Sequence, residues 1–250
     1  MIRQMIQNIQ KGILHMETIN PQEWKQDLPA FKEKTDQFYA GELSKADYKG
    51  FSGGYGSYAQ KDGKASMIRL RMSGGHLTKD KLKFIADSIK TYNVDKVHLT
   101  TCQAIQLHNL QPEAIYGIME GGLDHGIVTM GGGGDFPRNV TVSPLSGVQK
   151  GEYFNVLPYA EAAGEYLMTF IKKEVMPRKL KVGFSNGPAN ETHATFRDLG
   201  FVAREDGNFD VYSAGGLGNN ARFGLKVAKN VKPEKILYYI CAMRETFIAH

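Results

Sequence analysis

Two short segments carry cations at every second position. In PRKLKVGFSN (177–186) Lys179 and Lys181 alternate with Leu180 and Val182, and in MIRLRMSGG (67–75) Arg69 and Arg71 alternate with Ile68, Leu70 and Met72. On an extended chain such alternation sends the cations to one face and the apolar side chains to the other. A half-buried surface strand with a basic outer face accounts for either segment alone. Arg138, after the glycine run of MGGGGDFPRN (130–139), adds a fifth cation. Brought together by sheet pairing, the five would make a strongly positive pocket, suited to a small, highly charged anion. Nucleic acid is the weaker reading, because no long basic stripe, zinc finger or aromatic RNA-binding signature accompanies them.

Three further groupings could carry chemistry. HLTTCQAIQLHN (98–109) sets Cys102 between His98 and His108, but the spacing matches no zinc pattern. If the stretch is one strand, His98, Cys102 and Gln106 face one way and line a pocket, with Cys102 a buried or pocket thiol. YSAGGLGNNA supplies Gly216, Gly218 and Ala221, a weakened dinucleotide fingerprint whose acidic partner is misplaced. It reads better as a glycine loop whose N–H groups approach some anion. Cys241 shares a helical stripe with Ile236, Leu237, Ile240 and Met243 and belongs to a core.

The elements that must position these residues are partly legible. Thr78 is an N-cap for a helix with Leu82, Ile85, Ala86 and Ile89 on its apolar face, ending near Asn93. KVHLTT (96–101) reads as a strand continued by AIQLHN, and PEAIYGIMEGGL as a helix closed by Gly121 and Gly122. With the strand at 66–72 these make a β-α-β-α unit of the kind that pairs into a ferredoxin-like α+β sandwich. A second unit follows the glycine run. VTVSPLSGV opens it, YAEAAGEYLMTFIKKEV is a long helix and KLKVGFS a strand. FVAREDGNFDVYSAGG is a hairpin turned at Asp206 and Gly207, and Pro233 starts a last helix. That helix runs to His250 without a stop signal, so the chain is expected to be cut there. MIRQMIQNIQKGILHMETI aligns Ile2, Met5, Ile6, Ile9 and Ile13 as a packing helix within an N-terminal helical extension, residues 1–50.

Bulk properties set outer limits. The chain has 250 residues, 42% hydrophobic and 23% charged, with a net charge of +5, which is ordinary for a folded, soluble protein. No window holds the roughly 18 uninterrupted apolar residues of a membrane span. Two cysteines far apart argue against a disulfide framework and for a cytoplasmic location, and cannot complete a four-thiolate iron–sulfur site.

MIRLRMSGGHLT, HLTTCQAIQLHN, DFPRNVTVSPLSG, MPRKLKVGFSNGP and HATFRDLGFVAREDGNFDVYSAGGLGNN, in this order, resemble the siroheme-dependent nitrite and sulfite reductases over roughly residues 50 to 250. The resemblance implies an α+β chain: a ferredoxin-like half-domain (51–122), then an α/β nitrite/sulfite reductase domain of the siroheme and [4Fe–4S] type (123–250), both repeated in a longer chain. It implies six-electron reduction of sulfite or nitrite, with Arg69, Arg138, Lys179 and Lys181 around the anion. Arg71, His98, Gln103, Gln106, His108, Asn139 and Arg178 match positions near the macrocycle and its carboxylates. Two departures stand out. Cys102 replaces an arginine that many members pair with those carboxylates, and the cluster cysteines, which the family carries in its second half, are missing. The chain is therefore expected to be the N-terminal half of such a reductase, inactive alone and retaining neither siroheme nor cluster. Its partners would be the anion, the missing C-terminal half and a ferredoxin-type electron donor, with no nucleic acid or membrane. A non-catalytic siroheme- or tetrapyrrole-binding protein, complete as it stands, is the rival reading.

Overall fold

The computed structural model describes residues 20–249, so the apolar stripe expected at residues 2–13 lies outside the described residues. The chain divides into two compact units: residues 20–72 with 76–136, and residues 73–75 with 137–249. No helix among the described residues is long and apolar enough to cross a membrane.

The first unit contains α1 (Pro21–Lys25), α2 (Leu28–Tyr39), α3 (Lys45–Ser52), β1 (Ser57–Ala59), β2 (Ser66–Leu70), α4 (Lys79–Thr91), β3 (Lys96–Leu99), β4 (Ile105–Leu110) and α5 (Pro112–Asp124). Side-chain oxygens start two of the helices. Ser44 Oγ accepts from the Asp47 N–H at 3.1 Å and Thr78 Oγ1 from the Lys81 N–H at 3.3 Å, satisfying donors that the first turn leaves open. The sheet is antiparallel in the order β1-β2-β4-β3. Its inner face carries Ile68, Leu70 and Leu107, all fully buried along with Phe31, Tyr48, Ile115 and Ile118.

Two expectations for this unit need correction. KVHLTT and AIQLHN are not one strand: the chain reverses at Thr100–Gln103, and β3 and β4 form a hairpin. Gln103 takes the left-handed conformation there, at φ +55°. The helix at 112 does not stop at Gly121 and Gly122 but runs to Asp124. Those glycines are packing positions. A Cβ on Gly121 would lie 3.0 Å from the Phe84 ring, and one on Gly122 3.3 Å from the Ile127 carbonyl oxygen.

The second unit contains β5 (Thr141–Val142), α6 (Leu157–Met168), β6 (Val182–Ser185), β7 (Leu199–Ala203), β8 (Phe209–Ser213), β9 (Leu225–Val231) and α7 (Ile236–Ala249). Strand order is β5-β6-β7-β8-β9, parallel across the first three and antiparallel across the rest. Phe184 and Phe201 stack at 4.7 Å between centroids, and Phe209 meets both edge-on. The hairpin turned at Asp206–Gly207 is present, as is the helix after Pro233. The helix expected over 159–175 ends at Met168, where Thr169 Oγ1 donates to the Tyr166 carbonyl and the backbone continues in i→i−3 turns. β9 forms where no strand is read from the sequence.

Candidate functional site

The outer face of the first unit's sheet gathers most of that unit's predicted residues. Cross-strand partners point to the same side of a sheet. The register pairs Arg69 with Gln106, His98 with Gln106 and Lys96 with His108, so all five share one face. The hairpin that breaks the expected continuous strand is what brings His98 and Gln106 together. Gln103 and Cys102 lie in the turn instead, and among the described residues no three His, Cys, Asp or Glu side chains are placed to share a metal ion.

Arg69 is held by two partners through three N–H groups. Its Nη1 donates to the Gly132 carbonyl, and with the Gln106 amide assigned so that its oxygen rather than its nitrogen faces the guanidinium, Nε and Nη2 both donate to that oxygen, at 3.1 and 2.7 Å. The Gln106 amide nitrogen then lies 3.2 Å from His108 Nε2. Of the five guanidinium N–H groups these contacts occupy three and leave two for another acceptor. Arg71 is buried, 6% exposed; its N–H donates to the Val128 carbonyl at 2.7 Å and its Nη1 to the Met130 carbonyl at 3.0 Å. Burial, with Lys96, His98 and Arg69 nearby, pushes the His108 imidazole below its ordinary range against the opposing pull of Asp95. His108 is therefore neutral at neutral pH.

The glycine run is the clamp that supplies the Gly132 carbonyl. A Cβ on Gly133 would lie 2.2 Å from Tyr58 Oη and 2.4 Å from the Gly53 carbonyl oxygen. No other residue fits the approach. Tyr58 Oη accepts from the Gly134 N–H at 2.7 Å, which anchors the run beside Arg69.

In the second unit a parallel bridge joins Pro137 to Leu180, and the Arg138 N–H donates to the Leu180 carbonyl at 2.8 Å. The next residues along each segment are Arg138 and Lys181, so the backbone brings them alongside. Leu180 and Val182 are 0% and 1% exposed while Lys179 and Lys181 are exposed, as alternation requires. From Val182 onward β6 is buried on both faces between β5 and β7. Charge runs straight into a core strand because the half-exposed stretch ends at Lys181. Arg178 is exposed, and Asn139 is buried at 7%.

One residue beside the lysines escaped the sequence reading. Asp198 Oδ2 accepts the Lys181 N–H at 2.7 Å, and burial pushes this carboxyl up despite Lys181 and Arg197. Nothing in the spacing of FRDLGF announces it. The weakened dinucleotide fingerprint is ruled out by topology. Gly216 and Arg222 exchange two backbone hydrogen bonds, each 3.0 Å, in a loop between antiparallel strands, and the strand β9 follows where a helix would be needed. Cys241 packs partly against the core, its Sγ 3.4 Å from Glu245 Oε1.

Comparisons with known proteins cover both units. The domain described as "Nitrite/Sulfite reductase ferredoxin-like half domain" matches residues 58–122, and "Nitrite and sulphite reductase 4Fe-4S domain" matches residues 133–250. The chain is 30% identical over 160 residues to a ferredoxin–nitrite reductase of Synechococcus elongatus, covering 60% of this chain and 31% of that protein. It is 31% identical over 184 residues to an assimilatory ferredoxin-dependent nitrite reductase of Haloferax mediterranei, covering 66% and 31%. A sulfite reductase [NADPH] hemoprotein beta-component of Acidithiobacillus ferrooxidans is 28% identical over 180 residues, with 62% and 32% covered. The chain thus spans about a third of the length of these curated relatives. Among solved structures, Mycobacterium tuberculosis NirA shares the fold with a TM-score of 0.70 at 22% identity, over 94% of this chain and 48% of that one.

Proposed function

We propose that this chain, which belongs to the nitrite and sulphite reductase family, supplies cations to a site where a longer reductase carries out six-electron reduction of nitrite or sulfite on siroheme. The observation that carries this reading is where the cations fall. Arg69 lies within the first matched domain, and Arg138, Lys179 and Lys181 within the second. Each is partly or fully exposed on a backbone fixed by sheet pairing, so charge is held in place before an anion arrives.

The residues suit siroheme chemically, since a macrocycle bordered by carboxylates calls for fixed N–H donors. Arg71, His98, Gln103, Gln106, His108, Asn139 and Arg178 are proposed for its edge. When bound, siroheme would relay to the anion the electrons that an external donor supplies. The chain's own work is to hold the anion's oxygens against Arg69 and Arg138 and to deliver protons from the ammonium groups of Lys179 and Lys181 as each oxygen leaves as water. Lys181 keeps its backbone fixed through Asp198 while its ammonium stays in solvent. An iron–sulfur cluster does not fit this chain: four thiolates are needed and Cys102 and Cys241 are the only cysteines. We therefore place the cluster in a part of the reductase beyond these residues and expect this chain alone to be inactive. A ferredoxin-type donor suits the net charge of +5.

The cysteine count also favours a second reading, a tetrapyrrole-binding protein without reductase activity. Anaerobic purification of this chain and of any longer natural product, followed by visible spectra and assays of iron and acid-labile sulfide, separates the two. Siroheme and cluster confined to the longer product support the reductase reading. Siroheme held by the short chain, with no longer product, supports the other. Near-stoichiometric four-iron content in the short chain refutes both.

A further inference from the structure

Arg69, Gln106 and His108 form a chain in which one member cannot change its role. A guanidinium has only N–H donors and keeps its charge at any ordinary pH. The Gln106 oxygen must therefore face Arg69, which leaves its NH2 group pointing at His108 Nε2, 3.2 Å away. An NH2 group needs an acceptor, so Nε2 carries no proton and the neutral ring keeps its proton on Nδ1. The Gln60 amide nitrogen lies 3.5 Å from Nδ1, so this tautomer also requires the Gln60 amide to turn its oxygen toward Nδ1–H, and among the described residues no other contact of that side chain opposes the turn.

We infer that His108 is a positioning residue for Arg69: as the Nδ1–H tautomer it holds the Gln106 oxygen toward the guanidinium, and protonation of Nε2 turns that amide and releases Arg69. Once protonated, both ring nitrogens donate, and Nε2–H attracts the Gln106 oxygen. The amide NH2 is then left against the N–H groups of Arg69, donor facing donor. Two of the three bonds on the guanidinium are lost, and only the Gly132 carbonyl remains. The groups that bear on the ring from packed elements are Arg69 on β2, Lys96 and His98 on β3, Asp95 before β3 and the neutral Gln60 after β1. The cations outnumber the one carboxylate, so the arrangement favours the neutral ring. The consequence for anion binding rests on the proposed role of Arg69; the tautomer and the coupling do not.

The test uses the full 250-residue chain with 15N-labelled histidine and arginine, followed by NMR from pH 8 to pH 5. His108 is expected as the Nδ1–H tautomer at pH 8, and the Arg69 Nε–H signal should shift with the same midpoint as the His108 ring. In Gln106→Leu the Arg69 signal should no longer follow that titration. In His108→Gln, which offers an uncharged acceptor, it should stay constant over the range. An Nε2–H tautomer at pH 8, or an Arg69 signal indifferent to the His108 titration, overturns the inference. Excess sulfite added at pH 8 should move the Arg69 signal, and about tenfold more sulfite should be needed below the midpoint. No response to sulfite, with tautomer and coupling as expected, overturns the Arg69 reading alone.

Discussion

Gly133 and Gly50 offer the same chemical change with opposite expected signs. An alanine Cβ at Gly133 would sit 2.2 Å from Tyr58 Oη and 2.4 Å from the Gly53 carbonyl oxygen, against 3.4 Å where ordinary contact begins, deficits of 1.2 and 1.0 Å. The carbonyl is backbone, and the hydroxyl accepts the Gly134 N–H, so neither retreats without breaking something. Overpacking of this kind costs about 1–3 kcal/mol, and losing the Tyr58 bond adds about 1 kcal/mol. We expect Gly133→Ala to lose about 3 kcal/mol. Gly50 lies inside α3 with nothing within 4 Å of a built Cβ, so Gly50→Ala should gain about 0.5 kcal/mol from the reduced backbone entropy of the unfolded chain. Urea unfolding followed by tryptophan fluorescence reads both, because the sole tryptophan, Trp24, is buried in α1 of the same unit. The clamp also holds the Gly132 carbonyl on Arg69, so Gly133→Ala should weaken anion binding in the complete reductase. A loss below about 0.5 kcal/mol in Gly133→Ala, or equal destabilisation by Gly50→Ala, would refute the close-approach argument.

Lys179→Ala or Lys181→Ala in the complete reductase should lower kcat by about 10²–10³-fold, as removal of one preorganised donor commonly does, with little change in stability because both side chains are exposed; unchanged kinetics in both would remove them from the site. Arg69 and Arg138 are proposed to serve one anion, so the double substitution should be non-additive in nitrite or sulfite affinity, whereas simple additivity would assign them to separate sites. Burial opposes ionisation of Asp210, but Lys226 at 2.6 Å, the Asn230 N–H and Arg204 outweigh it and hold its carboxyl below the usual range. Its stabilisation is therefore present above the unfolded carboxylate value near pH 3.9 and lost as pH falls through the lower folded value; Asp210→Asn should abolish that acid-side dependence in urea titrations, and an unchanged acid limb would contradict the pairing.

Alternation made the cation-bearing faces legible. Arg69 and the Lys179–Lys181 pair lie where period-two reading puts them, and the turn at Asp206–Gly207, the Thr78 cap and the helix after Pro233 follow local rules with local causes. Other features depend on distant partners. The reversal at Thr100–Gln103 has no glycine, proline or asparagine to mark it, and Gln103 bears the positive φ. Gly121 and Gly122 look like a helix stop until Phe84 and Ile127 are seen against them. β9 follows a glycine-rich loop and is mostly exposed, so its apolar residues never form the inward set that signals a strand. The hold on Arg69 was hidden for the same reason, since Gly132 is 63 positions away and the His108–Gln106 contact exists only once the hairpin closes.

The mixed sheet of the second unit has a kinetic consequence. β7 and β8 close over a short turn, but β5 reaches β6 across 42 positions, from Thr141 to Gly183, and the entropy of closing so long a loop precedes any gain from pairing. During synthesis β5 leaves the ribosome first and yet must wait for β6 and α6 before its buried Val142 is covered. Pulse-labelled hydrogen exchange during refolding should find the β7–β8 amides protected before that of Val142. In that interval the stretch VTVSP is an open apolar segment within reach of a chaperone.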